Sequence, residues 1–346
     1  MRPNVNTAFW YLIFSALLLI LFLSNLWYGS VLIPWHKVMS VLSGNVNEAE
    51  TARVIVLEYR LPQAVTSLAT GIALGVAGLL LQTLFRNPLA GPSVLGISSG
   101  ASLGVALVVL LGAGVGYDVL SSGNPFSEVG LVAAALLGAL VVLMIILFVS
   151  NRVGNVVTVL IIGIMIGYAV SAVVGMLQFF SRAEELHAYV LWGLGSFSKT
   201  NWQQSVFLLL TALLGILLTL FLLKPMNGLL LGDHYARSIG INVRNVKSFM
   251  ILIAGLLIAV STAFTGPIAF VGLAVPHLAK GFFRTSNHRI LIPAVILMGG
   301  SLTLFCNLVA KLPGYDTSLP INAVTSMIGA PVVVYVIVKR GRMKKA

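Results

Sequence analysis

Acidic residues are scarce in this chain: nine Asp and Glu stand against 21 Lys and Arg in 346 residues. Charged residues of both signs reach only 9%, where an ordinary soluble domain carries roughly 25%, and apolar residues make up 58%. A chain so poor in charge cannot dress a surface for water, which excludes a soluble domain. The single cysteine, Cys306, excludes an intramolecular disulfide and, inside an apolar run, reads as a small buried hydrophobe. His36, His187, His234, His277 and His288 fall in separate segments without i,i+4 spacing, which argues against a built metal site. No G-x-x-x-x-G-K-[ST] loop is present to hold ATP, and no enzyme signature survives inspection.

What is present is a series of apolar runs of about 18 to 25 residues, the length a helix needs to cross a hydrocarbon core of roughly 30 Å. Short alternating strands of a membrane barrel are missing. The expected fold is all-α and polytopic. Ten transmembrane helices are expected at Ala8–Tyr28, Leu61–Leu81, Pro92–Gly112, Val129–Val149, Asn155–Phe180, Gln203–Leu223, Lys247–Thr265, Gly266–Phe283, Ile290–Ala310 and Pro320–Val338. Only Gly266 and Pro267 separate the seventh from the eighth, so a nine-span reading, with the C-terminus outside, stays open. The first run has no small-x-small cleavage site after it and is read as a permanent span. Five spans followed by five would give halves of opposite orientation, an inverted repeat.

With the N-terminus inside, fifteen basic residues fall on the inner side and six on the outer, the latter being Lys37, Arg53, Arg60, Arg182, Lys199 and Lys311. Eight of the nine acids fall outside, leaving Asp233 alone within. This asymmetry follows the retention of Lys and Arg on the cytoplasmic side. It accounts for most of the net charge of +12, so that charge is not a nucleic-acid surface, and the tail "KRGRMKK" suits anionic headgroups. No acid lies inside any span, whereas ion-coupled carriers keep ionisable groups at mid-membrane.

The longest inner loop, "KPMNGLLLGDHYARSIGIN" (Lys224–Asn242), joins the sixth and seventh spans. Asp233 is expected to N-cap a short helix through His234–Ile239, with Gly240 in the left-handed position after it. At about 10 Å such a helix is too short to stand alone. It either docks on a partner or lies in the headgroups. On the outer side, Leu186–Trp202 carries Tyr189, Trp192, Phe197 and Trp202, read as an interfacial aromatic belt in preference to a short external helix. Gly71, Gly75 and Gly78, then Gly96, Gly100 and Gly104, then Gly163 and Gly167 recur at spacings of three or four, the pattern of closely packed membrane helices. Ser98, Ser99 and Ser102 are expected to bond neighbouring helices.

The segment "YRLPQAVTSLATGIALGVAGLLLQTLFRNPLAGPSVLGISSGASLG" (Tyr59–Gly104), the insert "LLGDHYARSIGI", the run "GPIAFVGLAVPHLAK" and the end "LPINAVTSMIGAPVVVYVI" resemble the membrane permeases of ABC importers for iron–siderophore complexes, haem and vitamin B12. The resemblance covers nearly the whole chain in order. It implies a single permease domain over residues 1–346, ten helices, a homodimer around a central path, two cytoplasmic ABC ATPase subunits and an extracytoplasmic substrate-binding protein. It places the chain in a bacterial inner membrane with both termini cytoplasmic, and it implies no catalytic residue, metal or cofactor in this chain, ATP being bound by the partner ATPase. The cargo it implies is an iron complex, with a corrinoid as the alternative.

By the same resemblance the loop at residues 225–246 is the coupling helix, with Gly232, Asp233, His234, Ala236 and Arg237 as ATPase contacts. Arg60 and Lys311 match outer positions that pair with acids of the binding protein, a use of charge that steers encounter and permits release; Gln63 stands where relatives often have Arg. The inner gate is expected at "GNVVTV", on Asn155, Val156 and Val157, as an apolar constriction. Met165, Tyr168, Ala172 and Gln178 on the fifth span either face the path or pack against other helices. Two other classes, an ion-driven secondary carrier and a membrane scaffold without transport, are disfavoured by the acid-free spans and by the loop motifs respectively.

Overall fold

The computed structural model describes residues 5–44, 50–111, 125–153, 155–311 and 318–343. Gly112 of the third expected span, Gly154 of the gate motif and Lys344 and Lys345 of the basic tail lie outside the described residues. Every regular element among the described residues is helical. In chain order they are α1 (Val5–Trp27), α2 (Trp35–Leu42), α3 (Glu50–Val54), α4 (Leu61–Leu84), α5 (Ile97–Leu111), α6 (Pro125–Val153), α7 (Val156–Phe180), α8 (Ala183–Gly193), α9 (Trp202–Phe221), α10 (Leu223–Leu229), α11 (Asp233–Ser238), α12 (Val243–Thr265), α13 (Val271–Phe283), α14 (His288–Ala310) and α15 (Ile321–Met343). Seven of the helical stretches are long and apolar enough to cross a membrane, and α5, α13 and the Ile321–Val334 part of α15 are shorter apolar helices. Each overlaps one of the ranges expected, although the third is shorter, a 3-10 turn at Pro92–Leu95 preceding a helix that starts only at Ile97.

A single turn of π-helix, Ile55–Arg60, joins α3 to α4, and the Leu61 N–H bonds back five residues to the Val56 carbonyl. Pro62 explains the widening. Its ring nitrogen has no hydrogen to give the carbonyl four residues earlier, so the backbone shifts register there instead of breaking. The seventh and eighth spans separate where Gly266 and Pro267 suggested: α12 ends at Thr265, Gly266 has φ 73° and Phe270, before α13, has φ 64°. A side chain at such φ is strained, and the small Gly329 leaves room for it, since a Cβ there would lie 2.5 Å from the Phe270 Cβ.

The chain packs as two compact units. One holds Met1–Val76, Ser196–Leu214 and Phe270–Ala346, the other Ala77–Gly195 and Gly215–Ala269. The first unit joins the two ends of the sequence and the second is drawn from its middle, so neither corresponds to a five-span half. In the first unit α4 crosses α14 through a reciprocal glycine contact: a Cβ on Gly71 would lie 2.2 Å from the Gly299 carbonyl oxygen, and one on Gly299 would lie 2.4 Å from that of Gly71. In the second, Gly100 of α5 and Gly138 of α6 meet in the same way, at 2.5 and 2.1 Å. Lipid offers no hydrophobic drive between helices, so close backbone approach supplies the attraction. Gly75, Gly96, Gly104 and Gly163 also abut neighbouring backbone, whereas Gly167 meets only the Ser99 hydroxyl at 3.6 Å. Ser98 reaches Thr262 of α12 at 3.3 Å, and Ser102, which also bonds the Ser98 carbonyl of its own helix, pairs with the Tyr189 side chain of α8, both as expected of helix-bridging serines.

The aromatic belt is corrected. Residues 183–193 form α8, and Tyr189, Trp192 and Phe197 are buried within their units; only Trp202 is exposed. A 3.6-residue period places Tyr189 and Trp192 on one face of α8, and that face turns to protein rather than headgroups.

Candidate functional site

In the second unit, the loop at residues 225–246 folds as α10, a turn, α11 and the first residues of α12. The helix α11 has the boundaries expected to within a residue. Its start differs from expectation. The N-cap is Gly232, at φ 116°, and Asp233 is the first helical residue. A glycine has no side chain to cap with, so the Asp233 carboxylate is released for two ion pairs, with Arg86 beyond the end of α4 and with Lys247 in α12. Burial alone would raise the Asp233 pKa; the hydrogen bond and charge of Lys247, with the charges of Arg86 and Arg237, outweigh it and hold the carboxyl below its usual 3.8. The end of α11 is as expected. Gly240 is left-handed at φ 83°, its N–H bonds the Arg237 carbonyl at 3.0 Å, and the Ile241 N–H reaches the Ala236 carbonyl at 3.0 Å. That pair of bonds is the Schellman closure.

Ala236 is fully buried against its own unit, so this expected contact is not at the surface. As the smallest side chain of α11 it lets the helix sit down. The exposed side chains on and beside α11 include Leu230, Leu231, His234, Tyr235, Arg237, Ser238 and Ile239. Of these, sequence reasoning singled out His234 and Arg237; Tyr235 and Ile239 stand beside them as exposed apolar bulk, which in a loop that also carries Leu229, Leu230 and Leu231 gives no distinct signal.

Beside α11 lies a cavity of about 240 Å³. Its lining includes Asn155, Val156 and Val159 at the start of α7, Arg237 of α11, and Arg244 and Lys247 of α12. The side chain of Asn155 caps α7 by accepting the Val157 N–H at 2.9 Å, and that of Asn242 caps α12 by accepting the Asn245 N–H. Two expected gate residues thus share a cavity with an expected coupling residue. Val157 does not line it and is exposed on another side of α7. Val159, Gly163, Val170 and Val174 are the buried stripe of α7, and Val157, Ile161, Met165, Tyr168 and Ala172 form an uncovered stripe along it, spaced by three or four. Gln178 is half-buried and off that stripe.

Arg60 and Lys311, expected to face an outer partner, are instead buried in the first unit, at 4% and 8% exposure. The Arg60 guanidinium donates to the carbonyls of Leu26 (3.0 Å), Trp27 (2.6 Å) and Val31, and the Lys311 ammonium to that of Asn25 (2.9 Å). These are the last carbonyls of α1 and the chain just after it, which have no helical N–H to accept from, and cations suit the negative end of a helix. Asn307 donates to the Asn25 side-chain oxygen at 2.8 Å, and Gln63 donates to that of Asn307 at 3.2 Å. Gln63 therefore serves this network. Gly29 makes room for it, since a Cβ there would lie 2.9 Å from the guanidinium. Replacing Arg60 with Met should leave buried carbonyls without donors and cost about 2 kcal/mol or more, read as a lowered melting temperature in detergent. An unchanged melting temperature would show the network to be idle.

Helices long and apolar enough to cross a membrane, joined by a short capped amphiphilic loop, define a polytopic membrane protein. The chain belongs to the FecCD transport family, which matches residues 17–339. It is 34% identical over 342 residues to the vitamin B12 import system permease protein BtuC of Escherichia coli O6:K15:H31, covering 99% of this chain and 97% of that protein. The homologue from Shigella sonnei is 35% identical over 290 residues, 84% of this chain and 85% of that one. Among solved structures, a chain described as an inward-facing conformation of a metal-chelate type ABC transporter superposes with a TM-score of 0.81 at 28% identity, covering 95% of this chain and 98% of that one. PsaBC from Streptococcus pneumoniae in complex with Fab shares the fold, at a TM-score of 0.51 and 14% identity.

Proposed function

We propose that this chain is the path-forming subunit of an ATP-driven importer, one permease domain acting as a homodimer with two cytoplasmic ABC ATPase chains and an extracytoplasmic substrate-binding protein. It sits in a bacterial inner membrane with both termini cytoplasmic, and ATP is bound by the ATPase partners. The observation that carries the reading is the shared cavity. The short α11 is tethered through Asp233 to the end of α4 and to α12, and Arg237 lines the same space as Asn155 and Val156. A push on the exposed face of α11 therefore reaches the start of α7 through contiguous side chains. The contacts to the ATPase are His234, Tyr235, Arg237 and Ile239, with Gly232 and Asp233 setting the orientation of the helix and Ala236 seating it. The uncovered stripe through Met165, Tyr168 and Ala172 suits a helix that meets the path and the second copy. Arg60 and Lys311 support the outer rim from beneath.

For the cargo we favour a corrinoid, because the relatives aligned over nearly the whole chain are vitamin B12 import permeases. An iron complex, ferric siderophore or haem, is the second reading, favoured by the metal-chelate description of the structural neighbour. Uptake in proteoliposomes holding the chain, its cognate ATPase and ATP, with the binding protein outside, separates them. Cobalamin uptake that requires ATP is expected. Uptake of ferric siderophore or haem alone would give the site to iron, and uptake that follows an ion gradient without ATPase would overturn the mechanism.

A further inference from the structure

The cavity beside α11 is lined by Arg152, Arg237, Arg244 and Lys247 and by no carboxylate. The sequence leaves little to balance them. Asp233 is the one acid between Glu185 and Asp316, and none lies between Glu58 and Asp118 or between Glu128 and Glu184. The Asp233 carboxylate is already shared by Arg86 and Lys247; Arg237 feels it only at longer range, and among the described residues Arg152 and Arg244 have no ion pair. Arg152 stands over the Phe148 ring, 5.1 Å from its centroid, and Arg244 donates one bond to the Asn151 carbonyl. A guanidinium has five N–H donors, so most of this donor capacity is uncommitted.

Two long helices add to the field. Asn155 and Val156 at the start of the 25-residue α7, and Val243 and Arg244 at the start of the 23-residue α12, line the same cavity. Each helix presents the positive end of its dipole there. Like charges held in one concavity repel, and an anion with several acceptor oxygens relieves that repulsion while filling the free donors. Both helices are membrane-spanning in length and composition, so their ends lie at headgroup depth.

We propose that this cavity binds a phosphate-bearing anion, either the phosphodiester of an anionic phospholipid or free phosphate. The site is a property of this chain alone and does not depend on the importer reading. The test uses the full-length purified chain. Native mass spectrometry with phosphatidylglycerol and phosphatidylcholine should show one phosphatidylglycerol retained per chain, at about tenfold higher affinity than phosphatidylcholine, equivalent to about 1.4 kcal/mol. The Arg152→Gln/Arg244→Gln variant should lose that preference, while Arg289→Gln, an exposed cation at the start of α14, keeps it. Should the double variant fold poorly, Arg152→Gln alone serves, because its recorded contact is an exposed ring. Thermal stabilisation by inorganic phosphate beyond chloride at equal ionic strength assigns the site to the free anion; a phosphatidylglycerol preference without it assigns the site to lipid. Equal retention of the two lipids together with no phosphate effect overturns the proposal, as does a cavity variant that behaves like Arg289→Gln. An acidic segment of the ATPase that alone protects these arginines from modification would also overturn it.

Discussion

Replacing Asp233 with lysine is expected to reduce ATP-dependent uptake about 10- to 100-fold while the chain stays folded. The carboxylate holds Arg86 and Lys247 together, and a third cation in its place would push all three apart and lift α11 from its seat. Coupling free energies of 1 to 3 kcal/mol correspond to losses of this size. The stability effect is small by comparison, because partly exposed ion pairs contribute roughly 0.2 to 1 kcal/mol each and Asp233 and Arg86 retain 30% and 47% side-chain exposure. Uptake and melting temperature measured on the same preparation separate the two effects. Full uptake by the variant sinks the coupling reading, and a collapsed melting temperature recasts Asp233 as structural. Since the folded-state pKa is depressed, the stabilisation by Asp233 is complete above the unfolded carboxylate value of 3.8 and is lost as pH falls through the lower folded value. A pH scan between 5 and 8 should therefore leave this tether untouched.

The largest effect on stability is expected from Gly71→Ala. The added methyl would lie 2.1 Å from the Thr303 hydroxyl and 2.2 Å from the Gly299 carbonyl oxygen. Neither can yield readily: one is backbone, and the hydroxyl is held by bonds to the carbonyls of Gly299 and Gly300. Overpacking of this kind costs typically 1 to 3 kcal/mol, and here, with rigid backbone on the far side, about 3 kcal/mol or more. The comparison variant is Gly281→Ala, also helical but with nothing within 4 Å of the added methyl. It should be neutral or stabilise slightly, by up to about 1 kcal/mol through helix propensity. If both alanine variants melted alike in detergent, the glycine crossing would not be what holds α4 to α14.

Much of this was legible in the sequence because the signals were local. Hydropathy gave the spans, Gly266 and Pro267 gave the break between α12 and α13, and the Gly240 stop gave the end of α11. The misreadings of Arg60 and Asp233 share one physical cause, which is that charge and capping partners lie far away in sequence. Arg60 looked like a surface cation because nothing near it showed that the carbonyls at the end of α1 and just after it, 29 to 34 residues earlier, would need donors. Asn25 and Asn307, polar residues inside apolar runs, were the available hint that a buried polar network closes this end. Asp233 looked like an N-cap because Asp is a good one, yet its partner Arg86 lies 147 residues away, and Gly232 took the cap position by adopting a φ that other residues avoid.

The first helix is fastened at its two ends. Near its start Trp10 and Phe14 pack edge-on against Phe282, and Tyr11 donates to the Ile290 carbonyl at 2.9 Å; near its finish stand Asn25 and the Arg60 and Lys311 bonds. Between Phe14 and Asn25 no residue is buried. Leu18, Leu21 and Phe22 join the latches by packing against the core around Leu26 and Leu304, so contacts run along the helix and it comes off as a single cooperative segment. In hydrogen exchange, α1 should thus open ahead of α4 and α14, with all of its amides sharing one opening free energy, and Arg60→Met should lower that shared value while sparing the amides of α12.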